Sequence, residues 1–291
     1  MNEAVLILGC GFLGNVLAQQ LAFKGVPVIG TARGEPQLGI IRTRGAMPLE
    51  LRDVSALDRL PAKIGSVLMS IPPEAGLDQA LADRIGGWGL APGKVAYVSS
   101  TSVYGDRAGE TVDETTPVAP SSPKAHERVA AEAIWRQLGA QVVRPAGIYG
   151  PGRSLLHRLA SGKMRLIDGG ALINRIHVAD LASLCEAALA RGTAGATWLG
   201  ADTLPATHDE VVAWLVSELK LPEPPRMSLA EARVRMDKDT LAMFSQSKRI
   251  DSTRTFATLG VTMRYPTYRE GMKAIWAREK TMILAAREAQ A

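Results

Sequence analysis

Val5-Leu6-Ile7-Leu8 runs straight into Gly9-Cys10-Gly11-Phe12-Leu13-Gly14, and this junction constrains the fold of the 291-residue chain more than any other stretch. Four consecutive apolar residues predict a buried parallel strand. Residues 15–24, with Val16, Leu17, Leu21 and Phe23 as apolar positions, predict an amphipathic helix. A strand, a G-x-G-x-x-G turn and a helix, in that order, make the cradle that a dinucleotide pyrophosphate needs. Gly9 permits the tight turn, Gly11 lets the backbone approach the phosphates, and Gly14 lets helix and strand pack closely. The free N–H groups at the helix start, with the positive end of its dipole, then face the anion.

A second strand over 26–31 ends in Ala32-Arg33-Gly34. Folds that bind NAD usually carry an acidic residue there for the ribose 2′-hydroxyl. None stands here; Arg33 instead offers a planar, permanently charged fork suited to a 2′-phosphate, with Arg42 and Arg44 following as potential helpers. NADP(H) is therefore favoured over NAD(H), against the plainer alternative of a loop arginine in water.

Further strands are predicted over 45–50, 66–71, 94–99 and from 141, alternating with helices over 55–60 (N-capped by Ser55), 77–85 and 124–138. That rhythm predicts an α/β fold, a doubly wound parallel Rossmann sheet covered on both faces. Past Gly150 the pattern changes to a helix over 155–160, a glycine-interrupted hairpin over 164–173 and a strongly apolar helix over 178–190. A strand over 197–200 and helices over 208–219, 228–244 and 267–290 follow. Residues 1–150 plus 175–200 are expected to form the dinucleotide-binding domain, and 151–174 plus 201–291 a small mixed α/β substrate lobe.

At 46% hydrophobic and 22% charged residues the composition is that of a globular protein. A net charge of +5 would suit nucleic acid, but the basic residues are dispersed and aromatics make up 5%, so no nucleic-acid partner is expected. No apolar run reaches membrane-spanning length, and with a first strand predicted to start by Val5 no leader is expected. Cys10 and Cys185 are the only cysteines, which suggests no disulfide framework and fits a cytoplasmic protein. No Ser-His-Asp order, metal-binding histidine pair or P-loop lysine supports a hydrolase, metalloenzyme or kinase.

Five strings point the same way: residues 9–14, the run Tyr97-Val98-Ser99-Ser100-Thr101-Ser102-Val103-Tyr104-Gly105, the pair Asp113-Glu114, residues 144–151 beginning Arg144-Pro145, and Ile176-His177-Val178-Ala179-Asp180-Leu181-Ala182. Together they resemble the extended short-chain dehydrogenase/reductase family, which includes NAD(P)-dependent sugar-nucleotide epimerases and dehydratases. With Ser247-Lys248-Arg249-Ile250 and Tyr265-Pro266, the chain looks most like the atypical, YeeZ-like bacterial branch. The resemblance implies that Gly9, Gly11, Phe12, Leu13 and Gly14 hold the pyrophosphate, that Arg33 meets the 2′-phosphate, and that Asp53 and Val54 sit beside the adenine. Ser70, Ile71 and Pro72 would line the nicotinamide ribose, and Pro145, Gly147 and Ile148 the carboxamide. Ser100 matches the serine that polarises a substrate oxygen. A homodimer through the helices at 77–85 and 124–138 is likewise only implied.

The family's proton-transfer pair is a Tyr and a Lys one helical turn apart, and those positions hold Lys124 and Arg128 here. Three readings stay open. Lys124 itself shuttles the proton, its pKa lowered by Arg128 and burial. Another residue does so, such as Tyr104, His126, Tyr149 or His177, although structural roles suit each of these better. Or the protein is a catalytically silent NAD(P)-binding regulator or scaffold. The expected activity is an oxidoreductase or epimerase acting on a hydroxyl or carbonyl of a small, in some cases anionic, metabolite or sugar derivative. Tyr149 and Arg175, with Arg153 and Lys163 nearby, are candidate substrate contacts.

Overall fold

The computed structural model describes residues 3–162, 164–167, 170–236 and 246–288. Strands β1 (Ala4–Leu8), β2 (Val28–Ala32), β3 (Met47–Glu50), β4 (Ile64–Met69) and β5 (Val95–Val98) join strands Gln141–Pro145 and Thr197–Gly200 in one seven-stranded sheet. Every pairing in it is parallel, and β1 lies between β2 and β4, where the strand order reverses. In such sheets the ligand crevice opens at the carboxyl ends of the strands beside that reversal.

Strand alternation divides the core into two layers. Val5 and Ile7 face helix α1 (Phe12–Phe23), through Leu13, Leu17 and Leu21, and the helix Val178–Arg191, through Leu181 and Leu184. Ala4, Leu6 and Leu8 face the other way. They meet Leu81 and Ile85 of α3 (Leu77–Gly86) and Trp135 of α4 (Pro123–Gln137). Both faces of β1 are therefore dry, which is why it reads as an unbroken apolar run. The helix Glu35–Thr43, α2, packs on β2 and the edge strand β3.

A further core gathers Leu156, Leu159, Val211, Leu215, Tyr268 and Met272 from the helices Leu155–Ala160, His208–Leu219 and Tyr268–Glu288. Phe256 and Leu259, in the stretch expected to belong to this lobe, instead pack into the layer of α1 beside the sheet.

Several local expectations are corrected. Helix α1 starts at Phe12, directly after its N-cap Gly11, and its inward stripe at 13, 17 and 21 leaves Phe23 93% exposed. Asp53, not Ser55, caps the 3-10 turn Val54–Arg59, its Oδ1 accepting from the Ser55 backbone N–H at 2.8 Å. Among the described residues no hairpin forms over 164–173. Leu166–Ile167 pairs in parallel with Arg226–Met227, and Arg175–His177 with Gly147–Tyr149. The helix expected over 228–244 is Leu229–Arg235, and residues 237–244 lie outside the described residues.

One buried polar network ties the sheet to α4. Arg144 donates from Nε and Nη2 to Glu132 at 2.9 and 2.6 Å and from Nη1 to the Tyr104 hydroxyl at 2.8 Å. Ser99 Oγ donates to the same Glu132 carboxylate at 2.6 Å. Each partner satisfies the others, which is the condition for burying charge without a large penalty.

Candidate active site

A cavity of about 490 Å³ opens at the carboxyl ends of β1, β2 and β4, and Gly9, Gly11, Arg33, Asp53, Ser70 and Ile71 line it. Pro72 completes the β4 side. Gly9 has φ +84°, and a Cβ there would stand 2.7 Å from Ile71 Cγ1 and 2.8 Å from Ile71 N, so only glycine fits. A Cβ on Gly14 would come within 3.0 Å of the Gly9 carbonyl oxygen and of Ile7 Cγ2. Gly11 differs: a Cβ there would meet nothing within 4 Å. Gly9 and Gly14 are thus required by the protein's own packing, whereas Gly11 borders open space.

These residues fit a dinucleotide. The first hydrogen bond of α1 runs from Asn15 N to Gly11 O at 2.9 Å, which leaves the N–H groups of Phe12, Leu13 and Gly14 for a ligand. No side chain caps the helix and no acidic residue stands in its first turn. An anion at this end therefore meets unpaired donors and the positive end of the dipole. Val54 follows Asp53 at the cavity's β3 side, although the Asp53 carboxylate is already engaged by Ser55. That contact, first the Ser55 hydroxyl and then its backbone N–H, holds the Asp53 carboxyl below the usual carboxylate range.

Arg33 lines the cavity and pairs with Glu74 on its opposite side, with both side chains largely in solvent. Arg42 and Arg44 do not join it; Arg42 pairs with Glu35 and Arg44 donates to Gln19 at 3.1 Å. Arg52 and Gln37 line this side instead. Arg52 stands in the string that follows β3, so its position at a strand's carboxyl end was a usable signal.

A second cavity, about 280 Å³, lies beside the end of β5 and is lined by Ser100, Ser102, Gly147, Asn174, Gln246 and Lys248, among others. Ser100 caps the 3-10 turn Thr101–Tyr104, its Oγ accepting from Ser102 N at 3.1 Å. Pro145 ends the neighbouring strand, and Ile148 packs against the α1 layer, so Gly147 alone of these three lines the space. Lys248 is 93% buried by its 7% exposure, and its Nζ donates to the Gly105 carbonyl at 2.6 Å. Burial pushes its pKa down, partly opposed by Asp106 and reinforced by Arg107. Asn174 fixes the lysine's backbone by donating to Lys248 O and accepting from Ile250 N, both at 2.8 Å.

Neither of the expected proton-transfer residues lines either cavity. Lys124 is exposed on the first turn of α4, and Arg128 donates to Val98 O at the end of β5, at 3.0 Å. Tyr104 is committed to Arg144 and donates to Asp113 O at 3.1 Å. Tyr149 is buried against the C-terminal helix, where a Cβ on Gly271 would collide with its hydroxyl. His126 Nδ1 contacts Ser122 O at 2.9 Å on an exposed turn. His177 caps the 178–191 helix through Nδ1, and burial lowers its pKa to about 4. Arg175 is buried, donating to Ile173 O and Ala206 O at 2.8 and 2.9 Å, with its guanidinium over the Tyr268 ring. Arg153 stacks over the Phe12 ring, with its guanidinium carbon 5.4 Å from the centroid, and Lys163 lies outside the described residues. Ser154, His157 and Glu279 form a hydrogen-bonded row, at 2.7 and 3.0 Å, but line neither cavity. Among the described residues no group of side chains could hold a metal ion, and no helix is long and apolar enough to cross a membrane.

Comparison with known proteins agrees with this geometry. Residues 74–199 match the NAD dependent epimerase/dehydratase family. A functionally unknown conserved protein from Silicibacter pomeroyi is 34% identical, with 95% of this chain and 99% of that one covered and a TM-score of 0.86. UDP-glucuronic acid 4-epimerase from Bacillus cereus, in complex with NAD, shares the fold at 17% identity and a TM-score of 0.76, over 97% of this chain and 100% of that one. dTDP-glucose 4,6-dehydratase from Bacillus anthracis, also in complex with NAD, does so at 16% identity and a TM-score of 0.80, with 97% of each chain covered. No curated protein matches the chain significantly. The glycine cradle at the strand reversal, the seven-stranded parallel sheet and these matches together make residues 74–199 a match to the NAD dependent epimerase/dehydratase family and give the whole chain the fold of these structural neighbours.

Proposed function

We propose that the protein is an NADP(H)-dependent oxidoreductase or epimerase that works on a hydroxyl or carbonyl of a small metabolite. The observation that carries this is Arg33, which lines the same cavity as Gly9 and Gly11 at the end of β2, where an NAD-specific site would have a carboxylate. Its exposed pairing with Glu74 is weak, since solvent screens such pairs to about 0–1 kcal/mol. Arg33 would therefore exchange Glu74 for a 2′-phosphate, whose charge is nearly twice that of a carboxylate and which suits the guanidinium fork.

When bound, the nicotinamide supplies or accepts the hydride. The protein's own part is to hold the substrate oxygen and move its proton. Ser100, on the wall of the neighbouring cavity, orients that oxygen. Lys124, exposed at the start of α4, delivers the proton, while Arg128 ties that helix to the end of β5.

Oxidation of NADPH in the presence of a panel of small aldehydes and sugar nucleotides tests this. Turnover of one substrate class is expected, reduced about 100-fold or more in Lys124→Ala with cofactor affinity unchanged. Turnover that survives the substitution rejects Lys124 as the donor.

A further inference from the structure

Lys248 is a buried cation without an ion-pair partner among the described residues; Asp106, the carboxylate whose charge it feels, is engaged by the backbone N–H groups of Ser247 and Ala108. Among the described residues its ammonium makes one hydrogen bond, to a neutral carbonyl. No acidic residue is among the described residues lining the cavity beside it. A charge taken out of water is costly unless an opposite charge compensates it. Holding Gly105 O alone would need only a neutral donor, so the charge itself calls for another explanation.

The lysine is also placed rigidly. Strand Arg249–Ile250 pairs in parallel with Thr111–Val112, and Asn174 grips the backbone on either side of Arg249. Gly105, the acceptor, has φ +63°, and any Cβ on it would collide with the Ala119 carbonyl. Lys248 is thus fixed at a small cavity that Ser100, Thr101 and Ser102 also line.

We propose that this second cavity is an oxyanion subsite in which Lys248 holds a carboxylate or phosphate of the substrate. The cation supplies the charge and the serine and threonine hydroxyls supply neutral donors, a combination that favours an anion over a neutral amide of the same shape. A space of about 280 Å³ takes a small acid or phosphate ester group and excludes a second nucleotide. The identity of the ligand as substrate rests on the function proposed above; the anion site itself does not.

The test titrates the full-length protein with inorganic phosphate, with acetate, and with acetamide as the neutral counterpart, by calorimetry. Saturable binding of phosphate or acetate is expected, with none for acetamide, and the preferred anion tells a phosphate ester from a carboxylic acid. Lys248→Gln, which keeps an N–H donor for Gly105 O but no charge, should weaken the anion at least tenfold and leave NADPH affinity within twofold. Equal anion binding in the two proteins, or none in the wild type, overturns the proposal. If Lys248→Gln does not fold, the wild-type protein decides the matter through ¹⁵N-lysine side-chain NMR. The protected ammonium signal absent from Lys248→Arg should shift on adding the anion, and a signal that stays put overturns the subsite. Anion binding without binding of either NADPH or NADH would leave the subsite standing and remove the proposed function instead.

Discussion

Arg33 and Glu74 reach toward each other from the ends of β2 and β4 and pair across the mouth of the dinucleotide cavity. One anionic side chain of the protein therefore occupies the group proposed to read the 2′-phosphate. Glu74→Gln should raise NADPH affinity, by roughly fivefold or less because the pair is solvent-screened. Arg33→Ala should lower NADPH affinity about 10- to 100-fold and leave NADH nearly unchanged. Fluorescence titration of both variants with both nucleotides checks the pair of outcomes.

Gly9 and Gly11 should separate stability from binding. Gly9→Ala forces a left-handed residue against Ile71, so thermal unfolding should start lower by about 4 °C or more. Gly11→Ala meets no protein atom, so its melting point should hold while dinucleotide affinity falls, because the new methyl enters the pyrophosphate's space.

The Glu132–Arg144 pair should behave as a structural tie. Glu132→Ala leaves Arg144 charged and unpaired in the core, and a loss of about 3–5 kcal/mol by denaturant unfolding is expected. Simultaneous replacement of both residues by apolar ones should recover part of that loss.

Asp202 gives the pH dependence a direction. Burial raises its pKa to about 7, against the pull of Leu204 N and Arg175, and Oδ2 has no partner among the described residues. The folded chain then keeps a proton that the unfolded chain releases near pH 4, so stability is full below pH 4 and is lost as pH rises through 7. Relative to wild type, Asp202→Asn should gain stability across that window and hold it above pH 7, by at most about 4 kcal/mol. Melting curves at pH 4, 6 and 8 measure the difference.

The legible parts of this molecule were the local ones. β1, the glycine turn and α1 are contiguous, and their apolar runs and spacing follow directly from strand and helix periods. Arg33 was legible because it ends a strand. The helix His208–Leu219 was too, because its period is clean and Thr207 with Glu210 forms a capping box. The surroundings of Lys248 were not. They depend on Thr111–Val112 meeting Arg249–Ile250 and on Asn174 reaching both sides of Arg249, contacts between segments far apart in sequence. Arg175 and Tyr149 looked available as substrate contacts, yet the C-terminal helix covers them, and no local pattern announces that packing. Within the stretch expected as a hairpin over 164–173, Leu166–Ile167 takes its strand partner, Arg226–Met227, from far along the chain.

The central claim is that the cradle at the end of β1 binds a dinucleotide and that Arg33 selects the phosphorylated form. Titrating the wild-type protein with NADPH and with NADH, following nicotinamide fluorescence, measures it directly. Saturable binding of both is predicted, with NADPH about tenfold tighter or better. Equal affinities would contradict the role of Arg33, and no binding of either would contradict the account as a whole.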